Sequence, residues 1–161
     1  MKPQYGTYSF LDVQASIEGP GGNFELGSGS GASEEGVAIE PTGDKNVMTP
    51  GADGSVMHSL KGDSSGTVTV NLLRISTVNQ KLQNMYNHQT ASSRNHGQNT
   101  IVIRNAVSGD VITCEKCAFA KQPGNPYKTD GGIISWAFHA AAIDTKLGTG
   151  TPEAGALGGG L

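Results

Sequence analysis

Charge is scarce in this chain. Asp, Glu, Lys and Arg make up 16% of its 161 residues, against about a quarter in an average domain. The little charge there is sums to -3, with a pI of about 5.7. No basic field therefore exists to hold nucleic acid by counterion release, which needs clustered Lys and Arg. Long apolar runs are missing too. Nowhere do about 18 apolar residues follow one another as a membrane-crossing helix requires, and Met1–Tyr8 lacks the apolar core of a signal peptide. We expect a soluble protein made inside the cell, with no membrane insertion. Only two cysteines occur, Cys114 and Cys117, too few and too close together to staple a secreted scaffold.

Glycine is abundant instead, at 24 residues, about twice the usual share of roughly 7%. Scarce charge and frequent glycine suit a loop-rich β fold. At 161 residues the chain is long enough for one domain that buries about two-thirds of its unfolded surface, and too short for two.

Hydrophobic periodicity supports the β reading. From Tyr8 to Glu18, Leu11, Val13, Ala15 and Ile17 alternate with polar residues, the period of a half-buried strand. Gly19-Pro-Gly-Gly ends it, Phe24–Leu26 is a short strand, Gly27–Gly36 a loop, and Val37–Pro41 extended again. In Gly66–Leu73, Val68, Val70 and Leu72 share one face. The period then changes: Val78, Leu82, Met85 and Tyr86 recur at helical spacing among Asn, Gln and His, which predicts one amphipathic helix over 78–91. Thr77 and Gln80 are spaced as its capping box. Asn99–Asn105 and Val111–Lys121 read as a hairpin around Ser108-Gly-Asp110. In the last strand, Ile133–Ile143, Ile134, Trp136 and Phe138 define a core face, and Ser135, Ala137 and His139 a small, mildly polar one. The expected core is Val13, Ile17, Val68, Val70, Leu72, Leu82, Met85, Ile134, Trp136 and Phe138.

Residues 42–64 form a connection too long for an ordinary loop. They carry Val47, Met48, Val56, Met57 and Leu60, with turn signals at Pro50-Gly51 and Asp53-Gly54. Such a segment is too apolar for a solvated linker. We expect part of it to pair as a hairpin or to dock on a partner.

Candidate chemistry is weak throughout. Cys114-Glu-Lys-Cys117 has the spacing of half a zinc site or a redox pair, but it lies inside an apparent strand, where residues three apart face opposite ways. His58, His88, His96 and His139 offer no paired spacing to complete a metal site. Gly27-Ser-Gly-Ser-Gly-Ala32 matches a dinucleotide fingerprint in letters, without the helix that would hold a pyrophosphate. His58 and Ser59, with Asp12, Asp53 or Asp144, lack any nucleophile elbow. Glu34-Glu35 is the only adjacent acidic pair, so calcium is unsupported. We expect no catalytic, cofactor-binding or metal-binding residues.

Four ordered motifs carry a resemblance. E-E-G-V-A-I-E-P-T-G-D-K (34–45), M-T-P-G-A-D-G-S-V-M-H-S-L (48–60), S-G-T-V-T-V-N-L-L (65–73) and W-A-F-H-A-A-A-I-D (136–144) resemble a tail tube protein of contractile-tailed bacteriophages, over about residues 5–148. The resemblance implies a mainly β fold, a β-sandwich or small barrel with one flanking helix, spanning 1–161 as a single domain with 1–7 and 148–161 as arms ordered in the assembly. It implies a structural subunit, not an enzyme, that self-assembles into stacked, hexameric rings. The rings form the inner tail tube of a virion, made in the host bacterial cytoplasm and traversed by genomic DNA, with sheath, baseplate and tail terminator proteins as partners. On this reading Val47, Met48, Val56, Met57, His58 and Leu60 touch the next ring, and the helix faces outward. The rival readings are a tube or carrier of a related injection or secretion system, and a small β-barrel enzyme or binding module, which would be a stable monomer with a concave pocket.

Overall fold

A computed structural model of the chain describes residues 3–29 and 31–150, leaving aside the side chains of 32–35. In these residues the alternating segments become β1 (Val13–Gly19), β2 (Gly22–Glu25), β3 (Ala32–Pro41), β4 (Asn46–Pro50), β5 (Val56–Leu60), β6 (Gly66–Leu73), β7 (Asn99–Asn105), β8 (Asp110–Phe119), β9 (Ile133–Ala140) and β10 (Ala142–Lys146). The helix α1 spans Val78–Thr90.

Eight strands form one antiparallel sheet in the order β2-β1-β7-β8-β9-β6-β3, with β10 also on β8. The sheet folds over at β8, which changes partners along its length. Val111–Glu115 pair with β10, whereas Ala118 and Phe119 pair with β9. The bend has a local cause: Asn99 lies opposite Cys117 but Ile101 opposite Cys114, so β8 spends three steps where β7 spends two. This is a β-bulge, and Lys116 sits in it at φ 52°. Bulges bend a strand and let it pass from one layer of a sandwich to the other. The chain makes the same crossing at Ala141, between β9 and β10. The expected single strand Ile133–Ile143 is therefore two strands in two layers. The sheet is not closed: β2 and β3 are its two ends.

Between the layers lies one hydrophobic cluster. All ten of Val13, Ile17, Val68, Val70, Leu72, Leu82, Met85, Ile134, Trp136 and Phe138 are buried in it, together with Ala15, Leu26, Ile101, Cys114, Cys117 and Phe119. Phe119 stands at its centre, 4.7–5.8 Å by ring centroid from Tyr86, Trp136 and Phe138. Helix α1 buries Val78, Leu82, Met85 and Gln89. It is tied to the sheet by Trp136 Nε1, which donates to Asn79 Oδ1 at 3.1 Å.

Three local expectations are corrected. The first strand begins at Val13, because Phe10–Asp12 form a 3-10 turn whose Leu11 N–H donates to Ser9 Oγ, and Leu11 is 81% exposed. The loop Gly27–Gly36 is extended from Ala32 onward, pairing with β6 through a register shift before Val37. The Thr77/Gln80 capping box is not made: Thr77 has helical dihedrals and no side-chain cap, and the Val78 N–H donates instead to Ser76 Oγ.

Candidate assembly surfaces

The long connection folds as the hairpin β4–β5, a two-stranded sheet apart from the main one. Its turn is closed by the Gly51 N–H to Ser55 O bond at 2.6 Å and by the Ser55 N–H to Asp53 Oδ1 bond at 3.0 Å. Gly54 takes φ 92°, a conformation that glycine adopts without steric cost. The hydrogen bonds from Ser55 hold the Asp53 carboxyl below its ordinary range, so the tip is anionic at neutral pH. At the base, the Ser65 N–H and hydroxyl both donate to Asp63 Oδ1, and that carboxyl is lowered for the same reason.

Register assigns the hairpin side chains to faces. Met48 pairs with His58, Asn46 with Leu60 and Pro50 with Val56, while Val47 pairs with Ser59 and Thr49 with Met57. Residues directly opposite share a face. One face therefore carries Met48, Val56, His58 and Leu60, and the other carries Val47 and Met57. Asn46 Nδ2 lies 3.2 Å from His58 Nδ1. Every apolar side chain of the pair is open: Val47 45%, Met48 59%, Val56 50%, Met57 59% and Leu60 86% exposed. A two-stranded ribbon has no interior of its own, so the hairpin leaves apolar side chains uncovered on both faces.

The chemical candidates do not gather into a site. His58 and Ser59 are neighbours on β5 and face opposite ways, while Asp12 lies in the 3-10 turn, Asp53 in the hairpin turn and Asp144 on β10. The Gly27–Ala32 motif runs into β3, with no helix after it. The bulge turns Cys114 and Cys117 to the same side after all, but that side is the core. Both thiols are free and buried, and desolvation pushes them up to about 11 and about 12, the opposite of a reactive or metal-ready thiolate.

Sequence reasoning missed a buried amide pair. Gln89 Nε2 donates to Asn99 Oδ1 at 2.7 Å, and Asn99 Nδ2 returns a bond to Gln89 Oε1 at 2.8 Å. Gln89 also donates to Pro20 O and Asn99 to Cys117 O. The pair locks the end of α1 to the β1–β2 turn and to the bulge. Gln89 lies seven residues from Leu82 and four from Met85, on the helix's apolar stripe, and that misplaced polar residue was the available signal.

The described residues thus form an open sandwich with β2 and β3 as its end strands and an apolar hairpin apart from the core, and no reactive groups converge among them. Solved tube components of contractile systems share this fold. A chain of the sheath-tube complex of an extracellular contractile injection system, in its extended state, superimposes with a TM-score of 0.55 at 11% identity, over 84% of this chain and 88% of that one. The tube-terminating cap of the anti-feeding prophage gives 0.51 at 10% identity, over 91% and 95%. The sheath/tube terminator of the extracellular injection system gives 0.51 at 13%, over 83% and 92%. No curated protein matches the chain by sequence. The chain belongs to the Bacteriophage PhiTE tail tube protein family, which matches residues 5–148. It is a structural tube protein of a phage particle, not an enzyme. No helix of the described residues is long and apolar enough to cross a membrane.

Proposed function

We propose that the chain is the repeating subunit of an inner tail tube. Subunits join side by side into six-membered rings, rings stack, and the stack is the conduit for genomic DNA at ejection. The observation that carries this reading is the hairpin β4–β5, apolar on both faces and uncovered, in a chain of the tail tube family. Ring growth needs a heterologous contact repeated by rotation. The free edges β2 and β3 suit it, because joining neighbours through them removes edges that would otherwise invite aggregation. Between rings, Val47, Met48, Val56, Met57, His58 and Leu60 make the contact.

The outward face of β3, β6 and β9 lines the channel. Among the described residues it presents Ala38, Glu40, Thr67, Thr69, Asn71, Ser135, Ala137 and His139, with Leu73 and Ile133 at its end, and no Lys or Arg, so it offers DNA phosphates nothing to hold. Helix α1 covers the other side, where a sheath subunit would meet it. Baseplate and tail terminator proteins cap the two ends of the stack. The fold shared with a sheath-tube complex supports these partners, and the phage family favours a virion, assembled in a host bacterial cytoplasm, over a secretion setting. The whole chain acts as one domain, with 1–7 and 148–161 as arms that bind neighbours. Residues 1, 2 and 151–161 lie outside the described residues, while Gly148 and Thr149 already dock on the β7–β8 turn through Asp110 and Ser108.

Electron microscopy of the purified protein across concentration tests this. Rings or hollow tubes are expected; a monomer at every concentration, even with a tail-initiating complex added, would sink the proposal.

A further inference from the structure

The hairpin is not the only uncovered apolar surface. Strand β6 carries the hairpin at its Gly66 end, where Thr42 N–H bonds Ser65 O. At its other end Leu73 pairs with Ile133, and both are about 40% exposed. The chain then turns through Arg74 and Ile75. That turn is pinned rather than loose: Leu73 N–H donates to Gly31 O, Arg74 N–H to Gly132 O and Ser76 N–H to Leu73 O. Pinned in this way, Ile75 nevertheless stands 87% exposed, as does Tyr127, whose ring lies 4.2 Å under the Arg74 guanidinium. Beside Ile75 an open cleft of about 600 Å³ separates the end of β2 from the start of α1, with Phe24, Glu25, Thr77 and Lys81 on its walls. Lys81 Nζ lies 5.9 Å from the Phe24 ring.

The two surfaces match in three respects. Each presents exposed apolar side chains, Val47, Met48, Val56 and Met57 on the hairpin and Ile75 at the cleft. The charges offer a pairing: the hairpin tip bears the lone carboxylate of Asp53, and the cleft wall carries Lys81 beside Glu25. The base of the hairpin and the turn that carries Ile75 also sit at opposite ends of β6, about 23 Å apart at roughly 3.3 Å per residue. Two different surfaces in contact form a heterologous, head-to-tail interface, which extends as an open stack when its rotation does not close. The tip is pre-shaped by its internal hydrogen bonds, which lowers the ordering cost of docking.

We propose that the Ile75 cleft is the receptor for the β4–β5 tip of a second copy of this chain. Asp53 then meets Lys81, and the apolar residues behind the tip cover Ile75. This rests on the reading that the hairpin joins stacked rings, and it names the surface on which the hairpin lands.

Cysteine cross-linking tests it. Ala52→Cys and Thr77→Cys are made in separate chains and mixed before assembly, and the tubes are then oxidised; the native thiols are buried and do not compete. A covalent dimer that needs both variants is expected, and Ile75→Asp should leave a folded subunit that forms no tubes. Tubes from the mixture without that dimer, and normal tubes from Ile75→Asp, would overturn the receptor assignment. Met57→Asp separates the two readings: if it still blocks stacking in that case, the hairpin keeps its role and only the cleft is wrong.

Discussion

Asn99 joins three parts of the molecule through one amide. It reaches Gln89 on α1 and the Cys117 carbonyl at the bulge, and it leaves no room beside it, since a Cβ on Gly19 would run into its Oδ1. Asn99→Ala leaves the buried Gln89 Oε1 without its donor, while Gln89 Nε2 keeps Pro20 O. A buried group left unpaired costs about 1–3 kcal/mol, so urea unfolding should show a loss of that order. Because the two side chains act on each other, Gln89→Leu and Asn99→Leu together should cost less than the sum of the single changes. The thiols give a second test at this scale. Their folded pKa values lie above the ordinary thiol value of 9.0, so their contribution to stability is complete below about pH 9 and falls as pH rises through about 11 to 12. A disulfide-exchange reagent at pH 8 should label neither cysteine until the protein is unfolded. A double Cys→Ala variant should show a shallower loss of stability on the alkaline side. None of this was legible from C-x-x-C spacing, because which way each cysteine points depends on one extra residue in β8, a feature of strand pairing rather than of local pattern.

At the scale of elements, the bulge in β8 is where local preference gives way to topology. Lys116 holds a left-handed conformation that costs a non-glycine residue roughly 1–2 kcal/mol. Lys116→Gly should therefore be neutral or stabilising by up to about 1 kcal/mol, and Lys116→Val destabilising by about 1–2 kcal/mol, both read from denaturant midpoints. If Gly destabilises and Val does not, the bend has another origin. The elements with strong periods were legible: α1 from Val78, Leu82 and Met85, β6 from Val68, Val70 and Leu72, and the turn residues of β4–β5. The elements that failed did so for nameable reasons. Leu11 continues an alternation in sequence, yet Ser9 captures its N–H and turns the chain. Ile133–Ile143 keeps an unbroken period of two, yet it must serve both layers and breaks at Ala141. Periodicity reports which side of a strand is buried and is silent on which sheet the strand belongs to.

At the scale of the whole molecule, the fold is incomplete by itself. It leaves two sheet edges unpaired and holds Val47, Met48, Val56 and Met57 in solvent on a ribbon that the core does not touch. Burial of apolar surface contributes about 25 cal/mol per Å², so a partner that covers both faces of the hairpin stabilises the assembly without changing the subunit. The apolar character of residues 42–64 was visible in the sequence, and so was the hairpin turn; the cleft at Ile75 was not, because it is made from three separated segments. Folding and stacking are separable in this molecule, and one comparison tests that most directly. Wild-type protein and Met57→Asp are matched for thermal unfolding by circular dichroism and then imaged by electron microscopy under identical conditions. We expect the same unfolding temperature within error, with hollow tubes from the wild type and no more than single rings from the variant. Normal tubes from Met57→Asp would show that the hairpin does not join the rings.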